Sequence, residues 1–189
     1  MKKRVFIVHG WSGFPEYCWF PCAQQELEKR GFEVTVPLMP NTDAPTLAEW
    51  LPHLQKLVGM PDEQTYFVGH SAGAVTVLRY AESLTGNEKV GGVVTVAGFT
   101  QPLGHEQLNN FFPIPLNFEK IKQHSNGFAV LVSDDDPLVP MTEGEALEKG
   151  LGVTKVVKHG AKHFSGAYYG GPACLELSEV IDAIEKLSQ

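Results

Sequence analysis

The sequence predicts an α/β fold: a doubly wound, six-stranded parallel sheet with helices on both faces. Three observations carry this. Short apolar runs alternate with helix-patterned stretches along the whole chain. Val5-Phe6-Ile7-Val8 and Thr65-Tyr66-Phe67-Val68 are runs that suit strands buried within a sheet. Both runs end in glycine-bearing turns, His9-Gly10-Trp11-Ser12-Gly13 and Gly69-His70-Ser71-Ala72-Gly73. If the first strand lies beside the third, those two turns meet at a topological switch point, where doubly wound sheets place their ligands.

The elements follow in order. After the strand at 5–8, Pro21 to Arg30 reads as a helix, with Ala23 and Leu27 four apart and Gly31 as its stop. Phe32 to Val36 reads as the second strand, ended by Pro37 and Pro40. Thr46 to Val58 is a second helix with Leu47, Trp50/Leu51, Leu54 and Leu57/Val58 on one face. The third strand runs over 65–68, and the stretch after Gly73 places Val75 and Leu78 at helical spacing. Gly92 to Ala97, Phe128 to Val132 and Thr154 to Lys158 are the remaining strands. Glu143 to Lys149 and Ala173 to Leu187 are the remaining helices.

The 189 residues are the length of one domain, expected to span 1–189, with a small lid segment at 99–118 between the fourth and fifth strands. The chain is 43% hydrophobic and 20% charged, enough apolar material for a sizeable core. A net charge of −7 argues against nucleic acid and anionic membrane as partners. Met1-Lys2-Lys3-Arg4 is basic, but the apolar run behind it is too short for a signal peptide. Cys18, Cys22 and Cys174 are odd in number and at no metal-site spacing, so they read as reduced, mostly buried thiols of a cytoplasmic protein. Cys18 and Cys22, four apart, share a face if that stretch is helical. No phosphate loop, dinucleotide fingerprint or metal motif is present, so no cofactor and no metal are expected.

The pentapeptide Gly69-His70-Ser71-Ala72-Gly73 lies between a strand and a helix, the setting of a nucleophile elbow. The plain alternative is a strand-to-helix turn with a buried serine. A serine hydroxyl is too weak an acid to attack a carbonyl unaided. It needs a base to take its proton, and the base needs a carboxylate to fix its tautomer. The acid is expected after the fifth strand, where Asp134, Asp135 and Asp136 compete. Their plain alternative is a solvated acidic turn. The base is expected after the sixth strand, where His159 and His163 both qualify. His159 abuts the strand and reads as a surface histidine, whereas His163 lies in a loop long enough to reach back over the sheet. His70 is expected to point away along the turn, and His9 to support its own loop. An oxyanion hole needs two preorganised N–H donors. The backbone N–H groups of Ala72 and Trp11 are the candidates. Phe14, Trp11 and the apolar, proline-broken segment 99–118, with Phe111 and Phe112, are expected to shape the pocket. The alternative for that segment is a loop packed on the core.

Taken together, these residues resemble an α/β-hydrolase lacking the fold's first two strands. They are most similar to the small single-domain serine hydrolase family of the retinoblastoma-binding protein 9 and YdeN type. The likeness rests on His9-Gly10, Trp50-Leu51-Pro52, Gly69-His70-Ser71-Ala72-Gly73 with Arg79-Tyr80-Ala81-Glu82, Asp135-Asp136-Pro137 with Val139-Pro140, and His163-Phe164. The resemblance implies Ser71 as nucleophile, Asp136 as the acid and His163 as the base. It implies a cofactor-free serine hydrolase whose partner is a small-molecule ester or amide. Carboxylic ester hydrolysis is the leading expectation. A peptidase or amidase with the same three residues, or a non-catalytic binding module on the same fold, are the alternatives. A Leu-x-Cys-x-Glu pocket-protein motif is absent, since Pro172-Ala173-Cys174-Leu175-Glu176 lacks the leucine, so a protein partner is left open.

Overall fold

The computed structural model describes residues 2–166 and 172–189. Its centre is a six-stranded, all-parallel sheet in the order β2-β1-β3-β4-β5-β6. The strands are β1 (Arg4–Val8), β2 (Glu33–Thr35), β3 (Thr65–His70), β4 (Gly92–Val96), β5 (Phe128–Ser133) and β6 (Val156–Lys158). β3 and β4 are buried along their whole length, as is β1 from Val5 onward. The edge strands β2 and β6 are three residues each and only partly covered. Short edges leave few unpaired backbone groups for a stray strand to pair with.

The helices are α1 (Phe20–Lys29), α2 (Leu47–Val58), α3 (Ala72–Ser83), α4 (Phe118–Gln123), α5 (Met141–Leu151) and α6 (Ser178–Leu187), with a 3-10 turn over Glu106–Phe111. They divide between the two faces of the sheet. Trp50, Leu54, Leu78, Ile121 and Leu147, from α2 to α5, close one apolar core. Phe20, Ala23, Leu27, Val180 and Ile184, from α1 and α6, close the other. A parallel sheet needs both coverings, because each strand carries apolar side chains on both sides.

Three local readings change. α6 begins at Ser178, not near Ala173, because the Cys174 N–H bonds the Ser165 carbonyl at 2.9 Å and ties that stretch to the loop after β6. Cys18 stands before α1 with φ at +52°, so it shares no helical face with Cys22. The three cysteines are unbridged and half-buried rather than mostly buried. Burial pushes the Cys18 thiol up to about 11, so it is a protonated thiol at neutral pH. Among the described residues, no helix is long and apolar enough to cross a membrane.

β1 pairs with both β2 and β3, so the strand order reverses between β1 and β3. The turns that follow these two strands therefore lie side by side. A Cβ on Gly10 would stand 2.9 Å from the Ser71 Cβ. That crevice is where the functional residues collect.

Candidate active site

Ser71 connects β3 to α3 at φ 55°, ψ −121°. This is a region of backbone space that non-glycine residues rarely occupy, and such strain persists only where surrounding structure enforces it. The enforcement is visible at the flanking glycines. A Cβ on Gly69 would come within 2.5 Å of the Ala74 Cα and the Gly73 carbonyl. A Cβ on Gly73 would collide with the carbonyl oxygens of Val8 and His9. The Ser71 N–H donates to the Val96 carbonyl at 2.9 Å, which anchors the turn to β4. Ala72, the first residue of α3, has its N–H at the positive end of that helix.

Across the crevice, the Gly10–Trp11 peptide is fixed through its carbonyl. Gly10 O accepts from the Gly13 N–H at 3.0 Å and bonds the His9 Nδ1 at 2.8 Å. His9 Nε2 accepts from the Met39 N–H at 3.0 Å, so Nδ1 carries the proton. Burial holds His9 below the usual histidine range, which keeps this neutral tautomer. In a trans peptide the N–H points opposite to the C=O. Clamping the Gly10 oxygen therefore fixes the direction of the Trp11 N–H. Among the described residues, neither the Trp11 N–H nor the Ala72 N–H has an acceptor.

The loops after β5 and β6 are joined carboxylate by carboxylate. Asp134 bonds His159 Nδ1 at 2.6 Å and accepts from the Gly160 N–H at 3.0 Å. Asp135 accepts from the Lys162 N–H and the Ser133 hydroxyl, each at 2.8 Å, and pairs with the Lys162 ammonium. The Lys162 side chain holds the Asp135 carboxyl down at about 2. Asp136 bonds His163 Nδ1 at 2.8 Å through Oδ2 and 3.1 Å through Oδ1. Oδ1 also accepts from the N–H groups of Leu138 and Val139. The pairs differ in exposure. His159 is 84% exposed, whereas the Asp136 and His163 side chains are 2% and 7% exposed. A carboxylate so buried accepts from two backbone N–H groups and the imidazole together, which fixes the ring with its Nδ1 toward Asp136.

Ser71, His163, Trp11 and Ala72 all line one cavity of about 340 Å³. Its other walls include Tyr17, Phe99, Leu103, His105, Leu108, Leu138 and Val139. Three expected pocket residues are placed elsewhere. Phe14 packs on Tyr17 outside the lining. Phe111 is buried against Trp50 in the core, and Phe112 lies on Phe99 and the Arg79 guanidinium. The cause is Arg79, a buried cation that donates to the carbonyls of Phe111 and Ile114 and draws that stretch down onto α3. The segment is tied elsewhere as well. Glu143 accepts from the N–H and hydroxyl of Thr100, and Glu82 accepts from the Asn117 N–H.

His70 does not stand idle. Its Nε2 bonds the His163 carbonyl at 2.8 Å, and the two rings lie 4.9 Å apart. Because a carbonyl only accepts, Nε2 carries the proton. Burial, and secondarily the neighbouring His163, push His70 down to about 3. It is therefore a neutral strut holding the backbone of the residue paired to Asp136. Sequence offered one hint, a histidine beside the elbow, but the partner lies 93 positions away.

Comparison with known proteins gives a consistent result. The sequence profile described as "Serine hydrolase" matches residues 5–168. A Bacillus subtilis (strain 168) protein named as a hydrolase, YdeN, is 32% identical over 166 residues, covering 87% of each chain. The crystal structure of that gene product superposes with a TM-score of 0.90 over 98% of both chains. Serine hydrolase RBBP9 of Rattus norvegicus is 31% identical over 146 residues, 76% of this chain and 72% of that protein. A structure reported among carboxylesterases of Nitrososphaera gargenis shares the fold at 14% identity and a TM-score of 0.69, covering 98% of this chain and 89% of that one.

Proposed function

The chain belongs to the serine hydrolase family, and from that premise we propose that it hydrolyses small carboxylic esters through Ser71, His163 and Asp136, by way of an acyl-enzyme. The observation that carries this reading is the buried bond between His163 Nδ1 and Asp136 at 2.8 Å, on the wall of the cavity that Ser71 also lines. With Nδ1–H committed to Asp136, Nε2 is the basic nitrogen. Nε2 takes the Ser71 proton as Oγ bonds to the ester carbon. The carbonyl electrons move onto oxygen, which is held by the N–H groups of Trp11 and Ala72. When the tetrahedral adduct collapses, the bond to the alcohol oxygen breaks and Nε2–H protonates that oxygen. Water then repeats the sequence on the acyl-enzyme and releases the acid. Asp136 stabilises the imidazolium formed in each half. The shared fold of a protein reported among carboxylesterases supports the choice of ester over amide.

The test is labelling by a fluorophosphonate probe, read by intact-mass spectrometry. One adduct on Ser71 is expected, and Ser71→Ala should abolish it. The same variant should lose ester hydrolysis by about four or more orders of magnitude. An unlabelled wild type, or labelling that survives Ser71→Ala, refutes the reading.

A further inference from the structure

The cavity that Ser71 lines has a neighbour. A second, more open cleft of about 650 Å³ lies between the 99–118 segment and α5, with Gln101, Glu106, Asn109 and Thr142 on its walls. Leu103 and Leu138 line both spaces, so these two leucines form the partition between them. The backbone at Leu103 is unusual. The His105 N–H donates to the Pro102 carbonyl at 3.0 Å and closes a turn whose central residues, Leu103 and Gly104, have φ of 55° and 77°. Positive φ at both central positions is the type I′ pattern, which favours asparagine, aspartate or glycine. Gly104 suits it, whereas a leucine in the first place is strained. Such strain persists only where the surroundings enforce it. Glu143 on α5 does so, accepting from the Thr100 N–H, the Thr100 hydroxyl and the Gln101 amide just before the turn. Asparagine or glycine would serve the turn better. What leucine adds is an apolar side chain at the partition, partly buried against the core.

We propose that Leu103 determines acyl-chain specificity, by ending the cavity short of the second cleft. This rests on the hydrolase reading. His163 must reach the leaving oxygen, so the acyl part of the substrate lies away from the loop that carries His163. It runs along Phe99, Leu103 and Leu108, from the segment between β4 and β5. The substrate class is therefore an ester of a short-chain acid, and a longer acyl chain meets Leu103 instead of the cleft behind it. Leu138 shares the partition, but its N–H is bonded to Asp136 Oδ1. Leu103 is the side chain that can be changed without touching the acid.

The experiment measures, for each protein, the ratio of specificity constants for p-nitrophenyl octanoate and butanoate. The wild-type ratio should be below one. Leu103→Gly suits the turn and removes the partition, so its ratio should rise by about tenfold. That figure is four added methylenes at about twofold each, half the gain of full burial because the cleft is open. Leu103→Ala keeps a Cβ and should raise the ratio less. Leu103→Asn also suits the turn but keeps about the same side-chain volume, so its ratio should stay at the wild-type value. A wild-type ratio of one or more, or a ratio that neither Leu103→Gly nor Leu103→Ala raises, overturns the proposal. So does a rise in Leu103→Asn equal to that in Leu103→Gly, since the turn and not the side chain would then set the limit. In each of these cases ester turnover leaves the hydrolase reading standing. Absence of ester turnover overturns the proposal too, and fluorophosphonate labelling of Ser71 then decides whether the hydrolase reading falls with it.

Discussion

Replacing His70 by glutamine tests whether a neutral, buried histidine underlies the site. In the folded chain, burial pushes His70 down to about 3, whereas an unfolded histidine titrates near 6.5. Between those values the unfolded chain binds a proton that the folded chain refuses. Stability must then fall as pH falls, by up to about 1.4 kcal/mol per pH unit for one such group. From pH 7 to pH 5 the loss assigned to His70 is about 2 kcal/mol. His9, also lowered by burial, adds to the loss in the same direction. His70→Gln removes one titration and keeps an amide that can donate to the His163 carbonyl. Urea unfolding at pH 7, 6 and 5 should give a wild-type curve steeper than the variant's by about that 2 kcal/mol in total. Parallel curves would show that His70 is charged or solvated in the folded state, and the strut argument would be wrong.

Other outcomes follow from the same contacts. Asp136→Asn should lower the turnover number by about 10⁴, as loss of the tautomer-fixing carboxylate does in serine triads, whereas Asp134→Asn, facing the exposed His159, should stay near wild type. Steady-state ester kinetics on the two variants checks this pair. Arg79→Met should cost about 3–5 kcal/mol, because it strands the partly buried Glu82 carboxylate and frees the carbonyls of Phe111 and Ile114. Its signature in limited proteolysis should be faster cleavage between residues 99 and 118.

The sheet was legible because burial on both faces leaves a mark in sequence. Val5 to Val8 and Gly92 to Val96 are apolar almost without interruption, and both are central strands. The edge strands were read too long, since Phe32 and Thr154 continue the pattern although only three residues pair at each edge. α4 and the 3-10 turn left no helical period, in a stretch broken by Pro102, Pro113 and Pro115. The nearness of Ser71, Asp136 and His163 was legible because each follows a strand at one edge of the sheet. The pocket walls were not. A loop phenylalanine has no periodicity to say which way it turns, and the contacts that turn Phe111 inward come from Arg79, 32 positions away. The three aspartates show the same limit. Sequence places them together, but only the pairing in space separates the exposed Asp134–His159 bond from the buried Asp136–His163 bond.

The cavity also sets the length of acyl chain that can be sheltered. At about 340 Å³ it is near the small end of the range of about 300–1,000 Å³ usual for ligand sites. Each methylene taken fully out of water contributes about 0.8 kcal/mol, roughly fourfold in a specificity constant. That gain stops where the apolar wall of Phe99, Leu103 and Leu108 ends. The Trp11 and His105 rings, both part of the cavity lining, stand 6.4 Å apart edge to face and join the β1 loop to the 99–118 segment. For p-nitrophenyl esters the specificity constant should therefore peak at about C2 to C4 and fall by C8. Trp11→Ala keeps the backbone N–H and removes one of the two rings, so its peak should move to longer chains while acetate turnover changes little. The series is run at fixed pH, below each ester's micelle concentration. A wild-type specificity constant still climbing at C8, or a peak that Trp11→Ala leaves in place, would mean that the acyl chain leaves the site by another route.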